Sequence, residues 1–425
     1  MIAVIHPSNL AGSIKAPRSK SNMQRACAAA LLHKGKTIIN DPGRSNDDKA
    51  ALDVITKLGA SINDHVESIE VVSNGVNPLS DEINCGESGL GIRMFTPIAA
   101  ISSKKLTISG TGSLVNRPMD FFDEIFPHLG IRISSKNGKL PLQIQGPLLP
   151  TNIEVDGSLS SQFLTGLLMA FAASSPNDVE ISVRDLKSKP YIDMTLRVIE
   201  AFGMKLPIVK DYASFYFDSK TIIPHNKDIV YTIEGDWSGA AFLFVAGAIS
   251  NEISIKGMRD DSVQADKKIL EAIIDAGAII VHKNGTYTVT PAELKAFEFD
   301  ATECPDLFPP LVALAAYCKG TTKIKGANRL THKESNRALT LQDVFGKLGV
   351  KIDLNEDWMF VNGGSKLKSA IVHSHHDHRI AMAAAVAALK AEGPVSIQDA
   401  EAINKSYPDF YTHLQKLGVN LQIEH

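Results

Sequence analysis

The sequence predicts an α/β protein of two domains, an inside-out α/β barrel built from six βαβαββ repeats, three per domain. Three observations predict it. An apolar residue, a glycine and an apolar or small residue recur at Gly59, Gly130, Gly203, Gly277, Gly349 and Gly418, a period of about 70 residues, and a fixed period marks a repeated structural unit. Each glycine follows a helix-like stretch, where a left-handed cap favours glycine. Each period also holds two helices of different character, one amphipathic and one apolar nearly all round. A helix apolar on every side is buried on every side. Finally, 425 residues exceed what one compact core serves. Three units closing around their inner helices make one domain, and six make two.

The chain opens on a strand-like run at 2–5. The first unit carries an amphipathic helix over 48–58, and the second a strand at 105–109. In the third, an apolar helix over 163–173 precedes a strand at 179–183 and an amphipathic helix over 194–202. The fourth repeats this order with 240–249, 252–256 and 267–276. Apolar helices over 311–317 and 380–389, with a strand at 322–325, mark the fifth and sixth. The amphipathic helices place apolar residues at three- and four-residue steps. A plain tandem of three and three units puts a boundary between 203 and 233, joined by short crossovers because no Pro/Ser-rich linker occurs.

Composition narrows the function. Apolar content of 44% and charged content of 21% are those of a globular protein. A formal net charge of −3 supplies no global positive field, so nucleic acid and anionic membrane are not expected partners. The four cysteines are far apart without a CxxC pair, which fits reduced thiols in a cytoplasmic protein. The start of the sequence reads as a strand rather than a leader, and the longest apolar run, 380–389, is too short to span a bilayer.

The informative polar residues stand at helix starts: Lys20-Ser21 with Arg25, Gly86-Glu87-Ser88-Gly89 with Arg93, Gly157-Ser158-Leu159-Ser160-Ser161-Gln162, Gly235-Asp236-Trp237-Ser238, Pro305-Asp306 and Asp377-His378-Arg379. Helix N-termini present unpaired N–H groups and the positive end of the dipole, so they favour anions. Ser, Asp and Gly are equally ordinary N-caps. Cations at the amphipathic helices tip the balance: Arg117-Pro118, Lys189-Pro190-Tyr191, Lys333-Glu334-Ser335-Asn336-Arg337 and Lys405-Ser406-Tyr407-Pro408. Capping favours acids there, so repeated cations point to a bound anion. His373, His375, His376, Asp377 and His378 form a cluster of metal-ligand types. Consecutive residues at a helix entry point in different directions, and no metal is expected.

Five of these segments, in this order and on the sixfold period, make the chain resemble the EPSP synthase family of enolpyruvyl transferases: 156–163, Ser188-Lys189-Pro190-Tyr191-Ile192-Asp193, 333–337, 377–379 and 405–409. The resemblance spans essentially the whole chain. It implies that the first strand belongs with the C-terminal half, giving one domain of 1–17 and 234–425 and a second of 18–233, which close on substrates in a cleft. It further implies shikimate 3-phosphate bound by Ser21, Arg25, Ser160, Ser161, Gln162, Ser188, Tyr191, Asp306 and Lys333. Phosphoenolpyruvate is then held by Lys20, Gly89, Arg117, Gln162, Arg337, Arg379 and Lys405. Asp306, Glu334 and Lys20 become the catalytic acid/base groups of an addition–elimination that joins the enolpyruvyl group to the 5-hydroxyl and releases phosphate. No metal or organic cofactor is implied, and a monomer is expected.

The chain departs from the family pattern at Arg18, at Glu87, Ser88 and Leu90 around Gly89, and at Arg329 and Asn336. Leu90 removes a hydroxyl beside the phosphoenolpyruvate site, and Glu87 adds a negative charge near an anionic ligand. Two alternatives stand beside this reading. The enolpyruvyl transferase acting on UDP-N-acetylglucosamine is expected to carry a cysteine where this chain has Gly112, and no cysteine lies between Cys85 and Cys304. A nonenzymatic anion-binding protein on the same fold has no need of Asp306 and Glu334.

Overall fold

The computed structural model describes residues 1–174, 178–220, 228–331 and 333–424. The repeat is visible first in its caps. All six period glycines have positive φ, from 62° at Gly203 to 112° at Gly59. At each, the glycine N–H donates to the carbonyl three residues back and the next N–H to the carbonyl five residues before it, as in Gly59 to Thr56 and Ala60 to Ile55, both 3.0 Å. That is the Schellman arrangement, which satisfies the last helical carbonyls and turns the chain into a strand.

Six four-stranded sheets follow one plan. The first strand pairs parallel with the second, and a hairpin of third and fourth joins so that the order is first, second, fourth, third. Glu82–Asn84, Lys105–Ser109, Leu142–Gln145 and Arg132–Ser134 show it without interruption. Three sheets borrow a strand from elsewhere in the chain. Ile2–Ile5 takes the fourth place beside Val395–Gln398 and Leu421–Glu424, antiparallel to both. Ser13–Lys15 pairs parallel with Ile253–Lys256, and Ile229–Thr232 pairs parallel with Gly35–Asn40. These last two have exchanged places as leading strands, and that exchange sets the chain's division.

The chain forms two compact units, Met1–Ser19 with Glu234–His425, and Lys20–Ile233. The first division falls two residues after the boundary expected at 17, because Arg18 still bridges to Gly235. Each unit holds three sheets around three inner helices. In the Lys20–Ile233 unit these are Lys20–Leu32, Gly89–Ala99 and Ser161–Ser174; in the other, Trp237–Ile249, Phe308–Ala315 and His378–Ala388. Every residue of Gly89–Ala99, Trp237–Ile249, Phe308–Ala315 and His378–Ala388 is buried, as their all-round apolar pattern predicts. The observed helices start two or three residues earlier than the apolar runs at 163, 240, 311 and 380, adding the polar Ser161-Gln162 and His378-Arg379 in two cases and Trp237-Ser238-Gly239 and Phe308-Pro309-Pro310 in the others. The amphipathic helix expected over 267–276 begins instead as a 3-10 turn, Ala265–Lys268, before Ile269–Asp275. No helix among the described residues is long and apolar enough to cross a membrane.

Candidate functional site

Both units gather charged side chains at the starts of their inner helices. In the unit containing both ends of the chain, Asp306 lies in the 3-10 turn Pro305–Leu307 that leads into Phe308–Ala315. Three cations converge on it. Arg337 Nη1 is 2.7 Å and Lys333 Nζ 3.2 Å from Asp306 Oδ1, and Arg379 Nη2 is 3.0 Å from Oδ2. Arg337 is 1% exposed and reaches two further carboxylates, Glu334 at 2.6 Å and Asp377 at 2.7 Å. Asp377, fully buried, accepts from Arg337 through both oxygens, from Ser335 Oγ at 3.1 Å, and as N-cap from Arg379 N at 3.0 Å. One carboxylate thus binds the 333–337 segment to the 377–379 segment.

Electrostatics follow from the packing. Burial pushes the Asp306 carboxyl up, but Arg379, Lys333 and Arg337 outweigh it and hold the group well below the usual carboxylate range. Lys333 is shifted down, chiefly by burial, with Arg337 and Arg329 adding repulsion against the pull of Asp306 and Glu334. A fully buried neighbour, Asp266, bonds Ser238 Oγ and moves the other way, up to about 7, through burial and then the charge of Asp306. Two nearby carboxyl groups therefore sit in opposite protonation tendencies.

Lys405 lies in the same unit. It ends the 3-10 turn Ala400–Lys405, just before the helix Phe410–Lys416, and its ammonium donates to His376 O at 3.0 Å. His373 Nδ1 accepts from His375 N, His376 pairs with Asp399, and His378 is buried. The described residues include no metal-holding group of His, Cys, Asp and Glu.

In the Lys20–Ile233 unit, Gly89 opens the helix Gly89–Ala99. A Cβ there would lie 2.6 Å from Arg117 Nη1, 3.6 Å from Gln162 Oε1 and 3.7 Å from Arg93 Nη1. Gly89, Arg117 and Gln162, separated by up to 73 residues, are thereby one cluster. Arg93 belongs to it too: its Nη1 donates to Gln162 Oε1 at 2.9 Å, and its guanidinium lies over Phe163 at 4.9 Å. The helices Gly89–Ala99 and Ser161–Ser174 reach this proximity at Gly166, where a Cβ would meet Pro97 Cγ at 2.6 Å. Glu87 folds over Gly112, where a side chain would collide with its carboxyl group.

Arg25 organises a neighbouring group. Buried in its helix, it donates to Thr195 Oγ1, Thr165 Oγ1 and the carbonyls of Ser21 and Tyr191. Burial lowers it to about 10, against the opposing pull of Tyr191 and Tyr231. It thus ties together the chain at Ser21 and the first turn of Lys189–Ala201. Ser188, before that helix, has a left-handed φ of 57° and bonds no helical N–H through its side chain. Ser160 Oγ accepts from Gln162 N at 3.2 Å, and Ser161 is buried at the head of Ser161–Ser174. Lys20 Nζ is 2.9 Å from Asp47 Oδ2, both largely buried.

Capping explains part of the polar inventory. Ser88, Asp236 and Asp377 each accept from a helical N–H, so the ordinary N-cap reading holds for them. Sequence reasoning gave no role to Arg93, Asp47, Asp266 or Asp377. Arg93 and Asp377 lay in segments already singled out, while Asp47 and Asp266 each stand one residue before the amphipathic helices expected at 48–58 and 267–276.

The family model for EPSP synthase (3-phosphoshikimate 1-carboxyvinyltransferase) matches residues 4–414. This chain belongs to the EPSP synthase family. The 3-phosphoshikimate 1-carboxyvinyltransferase of Clostridium novyi is 36% identical over 427 residues, covering 97% of each chain. That of Clostridium perfringens strain 13 is 36% identical over 426 residues, covering 99% of each. The EPSP synthase structure from Acinetobacter baumannii superposes with a TM-score of 0.83 at 22% identity over 100% of both chains. The enolpyruvyl transferase NikO from Streptomyces tendae gives 0.78 at 15% identity, covering 99% of this chain and 98% of its own. These last two show the fold, so the inside-out α/β architecture is that of the enolpyruvyl transferases.

Proposed function

We propose that this chain transfers the enolpyruvyl group of phosphoenolpyruvate to the 5-hydroxyl of shikimate 3-phosphate, releasing phosphate. The observation that carries the reading is Asp306, a carboxylate held among Arg337, Arg379 and Lys333, with Glu334 on the same arginine. Both substrates are multiply anionic, and Arg grips carboxylate and phosphate through paired donors. Gly89, Arg117, Gln162 and Lys20, with Arg337, Arg379 and Lys405, would serve phosphoenolpyruvate. Ser21, Arg25, Ser160, Ser161, Gln162, Ser188, Tyr191 and Lys333 would serve shikimate 3-phosphate, Arg25 by fixing Ser21 and Tyr191.

In the addition step the 5-hydroxyl loses its proton to Asp306 as its oxygen bonds the central carbon of the enolpyruvate, whose methylene gains a proton from Glu334 or Lys20. The tetrahedral adduct then returns a methyl proton to the group that supplied it and expels phosphate, which carries away the proton taken up by Asp306. Positioned acid/base groups contribute roughly 10²–10⁴-fold. Asp306 within its three ion pairs is a weak base. A substrate carboxylate engaging Arg337 and Arg379 weakens those pairs and raises its basicity, so the substrate switches on the base. We further propose that the protein acts as a cytoplasmic monomer with these two small molecules as its partners.

A coupled phosphate-release assay with both substrates tests the reading. Turnover that needs both substrates is expected, and a folded protein inactive at saturation rejects it. Asp306→Ala should lose turnover far more than substrate binding. Normal turnover in that variant removes Asp306 from the mechanism.

A further inference from the structure

The geometry points to a positioning residue outside the substrate-contacting set: we propose that Asp399 fixes the Lys405 ammonium for its anionic ligand by holding the His375–His376 turn. This rests on the reading that Lys405 binds phosphoenolpyruvate. A lysine has a long flexible stem, and fixing it costs side-chain entropy. Lys405, 6% exposed, is anchored where its ammonium donates to His376 O at 3.0 Å. Placing one of the three ammonium donors on a carbonyl directs the other two.

That carbonyl is aimed by an unusual backbone. His375 and His376 have φ of 54° and 57°, consecutive left-handed residues without a glycine. Such conformations are strained for residues other than glycine and persist only when their surroundings enforce them. The enforcing group is Asp399. Its Oδ2 accepts from His376 N at 2.9 Å and Ser374 Oγ at 2.9 Å, and pairs with His376 Nδ1 at 2.6 Å. Ser374 Oγ also lies 2.8 Å from Asp399 O. Asp399 is itself left-handed, with φ of 56°, and directly precedes the 3-10 turn Ala400–Lys405 that ends on the lysine.

The contacts therefore close a ring: Asp399 carboxylate to His376, His376 carbonyl to Lys405, and the 3-10 turn back to Asp399. The imidazole of His376 is mostly exposed, so the ring depends on the backbone of that residue more than on its side chain. Removing the carboxylate releases the turn, the carbonyl and the ammonium together.

Steady-state kinetics of the whole chain test this, with KM for each substrate measured separately and folding checked by thermal unfolding. Lys405→Ala and Asp399→Ala should each raise KM for phosphoenolpyruvate by about 10-fold or more, the scale of one charge-assisted contact, leaving KM for shikimate 3-phosphate unmoved. In the Lys405→Ala background, Asp399→Ala should add nothing. His376→Gly, which keeps the carbonyl and tolerates the left-handed turn, should stay near the parent, whereas β-branched His376→Val should behave like Asp399→Ala. If Lys405→Ala is impaired but Asp399→Ala is normal, or its effect adds fully to that of Lys405→Ala, the positioning role is overturned and the lysine's role stands. A normal Lys405→Ala removes the lysine from the site and the proposal with it. Should Asp399→Ala fail to fold, the glycine–valine contrast at His376 decides, and equal behaviour of the two overturns the proposal.

Discussion

Replacing Asp377 by Asn removes one charge and almost no volume, and its cost follows from the contacts. The carboxylate is fully buried and takes four hydrogen bonds: two from Arg337, one from Ser335 and the N-cap bond from Arg379 N. A carboxamide has one oxygen. Whichever way it is turned, its NH₂ faces a donor, either Arg337 Nε or the Arg337 Nη2 and Arg379 N–H pair. Breaking a buried ion pair from one side costs about 3–5 kcal/mol. Asn keeps one accepting oxygen and Arg337 keeps Asp306 and Glu334, so the lower end, about 3 kcal/mol, is expected. Against a total stability of roughly 5–15 kcal/mol this is a large fraction. The chain supplies its own reporters. Both tryptophans, Trp237 and Trp358, lie in the unit that holds Asp377, and Trp237 is fully buried against Phe244. Buried Cys27 and Cys85 lie in the other unit, where their reaction with a thiol reagent reports its opening. In guanidinium the tryptophan transition of Asp377→Asn should fall by about 0.5–1 M, given a denaturant slope of a few kcal/mol/M. The Cys27 and Cys85 transition should stay in place. Asp343→Asn is the control, since its pair with Lys347 is over 40% exposed on both sides and is worth little. A tryptophan transition that does not move in Asp377→Asn, or moves no more than in the control, refutes the idea that this carboxylate holds the site's segments together.

Two further predictions rest on other residues. Gly89→Ala puts a methyl 2.6 Å from Arg117 Nη1, so the guanidinium must shift. KM for phosphoenolpyruvate should rise by about 10-fold or more, because small displacements of a binding group carry large kinetic penalties, while KM for shikimate 3-phosphate changes little. An unchanged KM removes Arg117 from that substrate. Asp266 gives a pH dependence. Its carboxyl is raised to about 7 in the fold, so its contribution is fully present below the unfolded value near 4 and is lost as pH rises through about 7. Asp266→Asn does not titrate and should gain on the parent by on the order of 2–3 kcal/mol between pH 5 and pH 8, measured by denaturant titration at each pH. A constant difference across that range shows that Asp266 is not shifted upward in the folded protein.

The fold was legible because its signal is periodic and local. A left-handed cap needs glycine, and the six caps fall where the sequence repeats, each closing with the same hydrogen bonds. The burial of the inner helices was legible for the same reason, since an apolar stretch of helical length has one fate. What was not legible is long-range. Nothing local in Ser13–Lys15 or Ile229–Thr232 shows that they exchange sheets, because a short strand's pairing is decided by partners some 200 residues away. The candidate site divides along the same line. Gly89, Arg117 and Gln162 stand out by residue type, and the structure brings them together. Arg93 joins them only because Gly166 lets two helices approach. Asp47 stands just before the helix expected over 48–58, and its pairing with Lys20 appears only once the helices are packed. Lys405 stands just before the helix Phe410–Lys416, as expected, but the 3-10 turn Ala400–Lys405 that carries it has no strong sequence signature.

The balance of charge in the Asp306 cluster bears on how such a site works. Lys333, Arg337 and Arg379 are matched there by Asp306, Glu334 and Asp377. Three like charges so close would be strongly unfavourable without carboxylates among them. Those carboxylates differ in place. Asp377 is fully buried and fixed by its cap, so it holds Arg337 in orientation. Asp306 and Glu334 keep 24% and 14% exposure, so they are the ones an incoming anion can replace as partners of the arginines. On the proposed function, an anionic substrate would enter by exchange rather than by addition. Each arginine would keep an acceptor throughout, and a carboxylate released from its arginine would become more basic as the ligand binds. The cluster would then store its acid/base groups as ion pairs, to be freed by the substrate's own charge.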